Sequence, residues 1–511
     1  MNTDASRKAL EFLRAAHLFH LGHLPTEQPH PGTRDLSVWA RDDLPRAIAT
    51  LRRVDLQALE ALERRAPEID GLACSIREAH SGRGRVFLCG CGATGRLSLA
   101  LESLWRARRP ETNGIVSFMA GGDVALVHAL EGFEDHADLG ARHLRELGFG
   151  PDDLLIACTE GGETPFVLGA TEEAASLSSR RPWLLFCNPE AALTARVERF
   201  RRISENPRVR RICLEAGPMA LAGSTRMQAS TVLQLAVGAA LLHPRIPARE
   251  LLSAYRRRVH EMDLSFLARF IEKESATYAA GDRVTYRVLD YGITVFTDTT
   301  ERAPTFSLAP FDHLQERRDP HSLCYTVLDD ALSPVQAWRR LLGREPRALD
   351  WPDVDPRATP PYLRGFDFGA AAAGQRRRLI HEAAHREFAV AGSPGSIRFQ
   401  FGRLAHDLPV DGMPPLLRHV LLKQVLNIHS TLVMGRLGRY EGNLMTWVRP
   451  ANGKLVDRAA RYVKHLLERA GGPDAAYEDI VRQIFVEMDR LAADEPIVLR
   501  ACESFLRLPR A

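Results

Sequence analysis

A short apolar strand, a glycine-rich turn and a helix follow one another repeatedly between residues 85 and 215. The predicted strands and their turns read VFLCG, IVSFMAGG, DLLIACTEGG, WLLFCN and RRICLE. Short apolar strands that alternate with helices predict a parallel sheet covered by helices on both faces. In such sheets, ligands bind at the carboxyl ends of the strands, where these glycine-rich turns fall. The pattern therefore predicts an α/β domain with a binding site at this edge.

A second set of predicted strands begins at Val284 and reads TYRVLD, GITVFTD, LCYTVLDD and IRFQFG. Fewer helices separate these strands and the glycine-rich loops are missing, which indicates a degenerate copy of the first unit. Helices are predicted at 5–20 and 44–80, with a proline-containing arm from Leu24 to Thr33 between them. The tail from Lys454 is predicted to be helical and to be divided by Pro473 and Pro496 into about three short helices.

A chain of 511 residues is too long for one core. The predicted division has an N-terminal helical arm at 1–82, a first domain at 83–243, a degenerate second domain at 244–430 and a C-terminal helical cap at 431–511.

Composition excludes several classes of protein. Apolar residues make up 45% and charged residues 26% of the chain, as in ordinary globular proteins. No apolar run reaches the roughly 20 residues of a membrane span, and the N-terminus has no hydrophobic signal region. The 68 basic and 64 acidic residues are well mixed, and the eight cysteines are scattered. We therefore expect a cytoplasmic protein with reduced thiols that binds no metal, nucleic acid or membrane.

The first glycine-rich turn, Gly90-Cys-Gly92-Ala-Thr94-Gly95-Arg96, resembles a phosphate-binding loop. Glycines allow the backbone to approach an anion, and the following helix N-terminus presents free N–H groups. No acidic residue ends the second strand, as the dinucleotide-binding pattern requires. On this motif alone, glycines needed only for a tight turn remain an alternative.

Further segments appear in a fixed order along the chain. They are AGGD at 120–123, EGFED at 131–135, GETP at 162–165, GSTRM at 223–227, KQVLN at 423–427, GNLM at 442–445 and NGKL at 452–455, with TEQ at 26–28 before them. Together with the first loop they resemble the N-acetylmuramic acid 6-phosphate etherases and the related glucokinase regulatory protein, which share the sugar-isomerase (SIS) fold. The resemblance covers about residues 24 to 465.

The spacing of two segments distinguishes members of this group. Gly223 and Gly442 lie 219 residues apart, whereas the corresponding segments of the single-domain etherases lie a few helical turns apart. The resemblance therefore implies two SIS-type domains, flavodoxin-like or Rossmann-like, each with a parallel sheet in a three-layer arrangement. It also implies a monomer in which the two copies form an internal pseudo-dimer in place of the etherase homodimer.

The resemblance implies one composite catalytic site. The segment Asp298–Phe306 resembles the etherase segment that supplies a catalytic glutamate, here Glu301, whereas the first copy has Leu104 at that position. Glu134 would be the base and Glu301 the acid, and no cofactor is needed. We expect both carboxyl groups to reach one cavity beside Thr94 and Ser224.

The other residues implied to contact the ligand share hydroxyl, glycine or charged character. They are Gly92, Thr94, Gly95, Glu131, Thr159, Thr164, Ser224, Thr225, Arg226 and Lys423. The second loop departs from the family pattern because it carries Glu160 and Glu163, which would repel a phosphate. We expect both carboxylates to turn away from the ligand. A Glu160 that faced the cavity would favour an unphosphorylated or cationic sugar.

Two functions remain open at this point. One is a lyase that cleaves the lactyl ether of N-acetylmuramic acid 6-phosphate. The other is a sensor that binds a sugar phosphate and switches a partner such as a sugar kinase, without catalysis. A third, aldose–ketose isomerase, fits less well, because isomerases of this fold generally place a His or Glu base elsewhere.

Overall fold

The computed structural model describes residues 3–110, 112–313, 320–491 and 495–507. The N-terminal part is helical, in agreement with the prediction. Its α-helices are α1 (Thr3–Ala15), α2 (Leu36–Asp42), α3 (Leu44–Glu63) and α4 (Ala66–Ser81). Helix α1 is followed by 3-10 turns at Ala16–Leu18, Pro25–Glu27 and Pro31–Thr33, and the last two of these turns lie in the proline-containing arm.

The first sheet has five parallel strands, which are β1 (Val86–Gly90), β2 (Ile115–Met119), β3 (Leu154–Cys158), β4 (Trp183–Phe186) and β5 (Arg210–Cys213). Their order in the sheet is β2-β1-β3-β4-β5. This is the flavodoxin-like order, in which the connections leave in opposite directions from β1 and from β3, so that a crevice forms between their carboxyl ends. All of β1, β2, β3 and β4 is buried, which is typical of a sheet covered on both faces.

Seven helices connect these strands or follow the last of them. They are α5 (Ala93–Arg108), α6 (Val124–Val127), α7 (Ala137–Glu146), α8 (Pro165–Leu177), α9 (Glu190–Arg196), α10 (Glu198–Ser204) and α11 (Gln228–Leu242). A 3-10 turn at Glu131–Phe133 lies between α6 and α7. Two helices, α12 (Ala248–Glu261) and α13 (Leu267–Ala279), then lead to the second sheet.

The second sheet and its connecting helices form the second half of the chain. The elements of this half are β6 (Arg283–Val288), α14 (Gly292–Phe306), β7 (Cys324–Leu328), α15 (Pro334–Leu342), α16 (Pro360–Arg364), α17 (Ala372–Leu379), β8 (His385–Gly392), β9 (Ser396–Phe401) and β10 (Leu404–Pro409). The sheet has the order β10-β9-β8-β6-β7, and its strands β6, β7 and β8 pair in parallel as predicted.

The second sheet is mixed, because β8, β9 and β10 form an antiparallel meander beside the parallel strands. The connection between β9 and β10 holds two residues, Gly402 and Arg403. A parallel crossover needs a dozen or more residues, whereas a hairpin needs about two.

The segment GITVFTD, predicted as a strand, lies in helix α14. This helix is buried from Ile293 to Arg302, so it lacks the polar face by which an amphipathic helix is recognised in sequence. Its threonines are compatible with a helix because their hydroxyls donate to carbonyls one turn earlier. Thr299 donates to Val295 at 2.9 Å, and Thr300 donates to Phe296 at 2.9 Å.

The chain ends in the helices α18 (Pro415–Arg436), α19 (Gly453–Arg469), α20 (Tyr477–Met488) and α21 (Ile497–Leu506). The last three confirm the predicted division of the tail. Within the described ranges, no helix is both long enough and apolar enough to cross a membrane.

The two halves are joined by buried contacts that also support the site. Arg344, from the second half, pairs with Asp123 at 2.6 Å and with Glu102 on α5 at 3.0 Å. Trp351 stacks on Phe133, with ring centroids 6.1 Å apart. Because Phe133 precedes Glu134, the second half helps to position the Glu134 segment.

Candidate functional site

A cavity of about 180 Å³ lies at the carboxyl ends of β1 and β3, where the sheet order reverses. Its wall combines loops of the first sheet with residues from α14 in the second half and from α19 near the end of the chain. Of the expected site residues, those that line the cavity are Gly92, Glu134, Thr164, Ser224, Thr225, Arg226 and Glu301.

The loop after β1 brings the start of α5 to the cavity. At Gly90 a Cβ atom would lie 2.3 Å from the backbone carbon of Thr94, so the close return of the helix requires glycine. Gly92 has a positive φ of 53° and, with Ala93, lines the cavity. The Thr94 hydroxyl closes this loop, since it accepts from the Cys91 N–H and donates to the Cys91 carbonyl, both at 2.9 Å. Gly95 allows α5 to pack against Met119.

In the loop after β3, Glu163 confirms the expectation that it turns away from the ligand. It pairs with Arg199 on α10 and with Lys454 on α19, the latter at 3.1 Å. Despite burial, these cations lower the pKa of Glu163 to about 2. The Thr164 hydroxyl lies 2.9 Å from that of Thr159, so Thr159 supports Thr164 from behind the wall.

The expectation for Glu160 was wrong, because this side chain lines the cavity. It is 8% exposed, and its Oε1 has no hydrogen-bond partner among the residues that the structure describes. Burial raises the pKa of Glu160 to about 7, and the nearby negative charges of Glu134 and Glu301 contribute in the same direction. Its backbone is held next to the end of β4, since the Cys187 N–H donates to the Glu160 carbonyl at 3.0 Å.

The turn Gly223–Met227 contributes a hydroxyl and a guanidinium. Ser224 is buried, and its hydroxyl has no hydrogen-bond partner in the described part of the chain. Arg226 pairs with Asp298 on α14 at 3.2 Å and donates to Ser430 at 2.7 Å and to Thr431 at 3.1 Å. The positive charge of Arg226 is therefore largely balanced by Asp298.

Glu301 reaches the cavity from α14 and is 3% exposed. Within the described ranges its Oε2 has no hydrogen-bond partner. Burial raises the pKa of the carboxyl group, although Arg96, Lys423 and Arg226 oppose the shift. A buried carboxyl group with a raised pKa retains its proton near neutral pH more readily than a solvated one does. Glu301 is therefore suited to donate a proton.

Glu134 reaches the same cavity from the segment after the 3-10 turn. Its carboxylate is 21% exposed and lies 3.5 Å from the Lys454 ammonium. The Phe166 N–H donates to the Glu134 carbonyl at 3.1 Å, which holds this segment at the start of α8. The carboxylate is accessible from the cavity, as a general base must be to reach the proton that it removes. The side chain of Glu131 lies outside the described part of the structure.

Helix α19 supplies cationic residues that the sequence prediction missed. Asn452 caps the helix by accepting from the Leu455 N–H at 3.0 Å, and Lys454 and Arg458 line the cavity. Arg458 is held by buried Glu27 from the N-terminal arm, at 2.6 Å. The segments NGKL and TEQ were both recognised as family matches, so the signal was present although no role was assigned to it.

Lys423 lies outside the described lining of this cavity and borders a smaller one beside Glu301. Its ammonium donates to Thr231 and Asn427 and to the carbonyls of Arg226 and Met227, at 2.8 to 3.3 Å. Lys423 therefore holds α18 against the start of α11, as expected of a helix packed on the first domain.

Replacing Lys423 by Met is expected to destabilise the fold by roughly 3 kcal/mol, because several buried acceptors lose their donor. Chemical denaturation measures this loss. Lys464→Met is the matched control, since Lys464 is 48% exposed and makes one weak pair at 3.9 Å. It should change stability by less than about 0.5 kcal/mol. Equal midpoints for the two variants would contradict the structural role of Lys423.

Comparison with known proteins identifies the family of the chain. Residues 70–175 match the model of the glucokinase regulatory protein N-terminal SIS domain. The chain is 32% identical over 220 residues to N-acetylmuramic acid 6-phosphate etherase 2 of Vibrio cholerae, covering 42% of this chain and 66% of that protein. It is 30% identical over 220 residues to the N-acetylmuramic acid 6-phosphate etherase of Lactococcus lactis, covering 43% of this chain and 69% of that protein. The chain belongs to the N-acetylmuramic acid 6-phosphate etherase family.

The match to these etherases is partial on both sides, since the chain spans just under two thirds of the Vibrio cholerae protein and less than half of its own length is aligned. Among solved structures, tagatose-6-phosphate ketose/aldose isomerase from Escherichia coli is similar, with a TM-score of 0.43 and 11% identity over 77% of this chain and 94% of that chain.

Proposed function

We propose that this protein is a carbon–oxygen lyase that cleaves the lactyl ether of N-acetylmuramic acid 6-phosphate. The observation that carries the proposal is that Glu134 and Glu301, from different halves of one chain, line the same cavity as the first glycine-rich loop. The etherases to which the chain is similar are named for this substrate.

The two carboxyl groups suit an elimination. In the open form of the sugar, the C2 proton lies next to the C1 carbonyl and is therefore acidic. Glu134 removes that proton, the electron pair forms a C2–C3 double bond, and the bond from C3 to the lactyl oxygen breaks. The departing oxygen takes a proton from Glu301. The products are lactate and an unsaturated sugar phosphate, and the two carboxyl groups exchange protonation states.

The wall also offers groups for the phosphate. Gly92 and Ala93 lie at the N-terminus of α5, where backbone N–H groups and the helix dipole favour an anion. The Ser224 hydroxyl is buried and available for a hydrogen bond. We propose that the phosphate binds between this helix start and the turn at Ser224.

A second candidate is a sensor that binds a sugar phosphate without catalysis and acts on a partner such as a sugar kinase. The match of residues 70–175 to the N-terminal SIS domain of the glucokinase regulatory protein favours it. Both candidates require the same cavity, and they differ in whether lactate is formed.

The deciding experiment incubates the protein with N-acetylmuramic acid 6-phosphate and measures lactate. We expect lactate to form with multiple turnovers. Calorimetric titration with the sugar and with its 6-phosphate should show a preference of at least ~10-fold for the phosphate, or about 1.4 kcal/mol. Tight binding without lactate would support the sensor, and equal affinity for both sugars would contradict a phosphate site.

We also propose that the chain acts as a monomer with an internal pseudo-dimer and is cytoplasmic. The monomer with an internal pseudo-dimer is supported by α14, which completes the cavity from within the same chain through Glu301. The domain limits at 83–243 and 244–430 remain proposals of the same kind.

A further inference from the structure

Three cations that line the main cavity pair with carboxylates of the protein. Arg226 pairs with Asp298, Arg458 pairs with Glu27, and Lys454 lies between Glu163 and Glu134. The positive charge of these three residues is therefore largely compensated, and hydrogen bonds contribute to the recognition of a ligand.

Two carboxyl oxygens on this wall, Oε1 of Glu160 and Oε2 of Glu301, are buried and have no hydrogen-bond partner among the described residues. An unsatisfied buried polar atom is destabilising, so each such atom in a native structure requires an explanation. Proton donation during the elimination explains Glu301. Glu160 has no place in that mechanism.

The position of Glu160 is set by the backbone on both sides. The Cys187 N–H donates to the Glu160 carbonyl at 3.0 Å, and the Asn188 amide donates to the Gly161 carbonyl at 3.1 Å. Asn188 in turn accepts from the Thr26 N–H at 3.0 Å. Glu160 is therefore presented to the cavity by a rigid loop, which is what selective recognition requires.

We propose that Glu160 is a specificity-determining residue that accepts a hydrogen bond from an O–H or N–H group of the bound sugar. This inference rests on the proposed function for the identity of the sugar. A ligand group next to Glu160 must be a neutral or cationic donor, and the phosphate must bind elsewhere on the wall. Glu160 is one of the residues by which the second loop departs from the family pattern, so this contact would distinguish the chain within its family.

The test uses calorimetric titration of N-acetylmuramic acid and of its 6-phosphate into the full-length protein. Glu160→Ala and Glu160→Met remove the acceptor, and we expect each to weaken binding of both sugars by about 10-fold. Glu160→Gln retains an acceptor oxygen and should stay within about 3-fold of the wild type. Both apolar variants are expected to fold, because they remove an unsatisfied buried atom.

The matched control is Glu172→Gln on α8, the helix after the same loop. Glu172 is 41% exposed and makes one weak pair, with Arg202 at 3.8 Å, so binding should not change. Unchanged or tighter binding of the 6-phosphate by Glu160→Ala and Glu160→Met would overturn the proposal, because Glu160 would then act on the ligand by repulsion alone.

Lactate is measured on the same samples to separate the two proposals. A wild-type protein that binds the sugars and forms no lactate overturns the lyase while the comparison of Glu160 variants still stands. A protein that forms lactate, but binds equally well with Ala or Met at residue 160, overturns the role of Glu160 alone. A wild-type protein that binds neither sugar overturns both.

Discussion

Glu134→Gln and Glu301→Gln are each expected to lower the rate of lactate release by about 100- to 10,000-fold. This is the usual range for the loss of one general acid or base. Glutamine keeps the shape of the side chain and removes its ability to exchange a proton. Both residues line the cavity, and the variants keep the shape of its wall. Sugar binding should therefore be preserved while turnover is lost.

The double variant distinguishes one composite site from two separate ones. Two residues that serve a single elimination step fail as a unit, so Glu134→Gln with Glu301→Gln should be little slower than the worse single variant. Initial rates of lactate formation and calorimetric affinities measure both effects, with Glu172→Gln as the control. Multiplicative losses, or full activity of Glu301→Gln, would contradict a composite site.

Glu27→Gln is expected to destabilise the protein by about 3 to 5 kcal/mol, the usual cost of removing one partner from a buried ion pair. Glu27 is 4% exposed and is bound by Arg458 at 2.6 Å and by Arg461 at 2.9 Å. Its loss leaves the buried Arg458 without its counter-ion. Because Arg458 and Lys454 share α19, activity should fall together with stability.

The pH dependence of this effect has a defined sign. The two arginines hold the pKa of Glu27 well below its usual range despite burial. Its contribution to stability is therefore fully present above the unfolded-state pKa of about 4.3 and is lost as the pH falls below that value. Urea unfolding of the wild type and Glu27→Gln should show a large difference at pH 7 that shrinks below about pH 4.

The control for this comparison is Glu468→Gln, which replaces an exposed glutamate on the same helix. It should leave stability within about 0.5 kcal/mol of the wild type at both pH values. A difference between wild type and Glu27→Gln that grows on acidification would contradict the assigned ion pairs.

The first sheet and its crevice could be predicted from sequence because their signals are local. Gly90 is required for the close approach of two backbone segments, and Gly223 has a positive φ and lies against the Arg458 and Tyr462 side chains. The first loop and the Gly223 turn both lie at the cavity. Glu134 and Glu301 were assigned from their segments, and both line that cavity. Their roles in catalysis stay predictions until the variants are measured.

Features that depend on distant contacts could not be predicted in the same way. Glu163 and Glu160 are three residues apart, yet one turns toward Arg199 and Lys454 while the other faces the cavity. The local sequence does not contain these partners. Helix α14 was mistaken for a strand because an element buried on all sides shows neither helical nor strand periodicity.

The pairing of Glu27 with Arg458 also bears on how the protein matures during synthesis. These two residues are 431 positions apart, and the cavity wall includes Lys454 and Arg458 from the same late helix. The first sheet is complete in the nascent chain long before α19 leaves the ribosome. Until then Glu27 is a carboxylate without its cations, and the cavity lacks one side. A ligand can therefore be fully enclosed only by a chain whose translation has passed α19. Partly synthesised chains are expected to bind the ligand more weakly than complete ones.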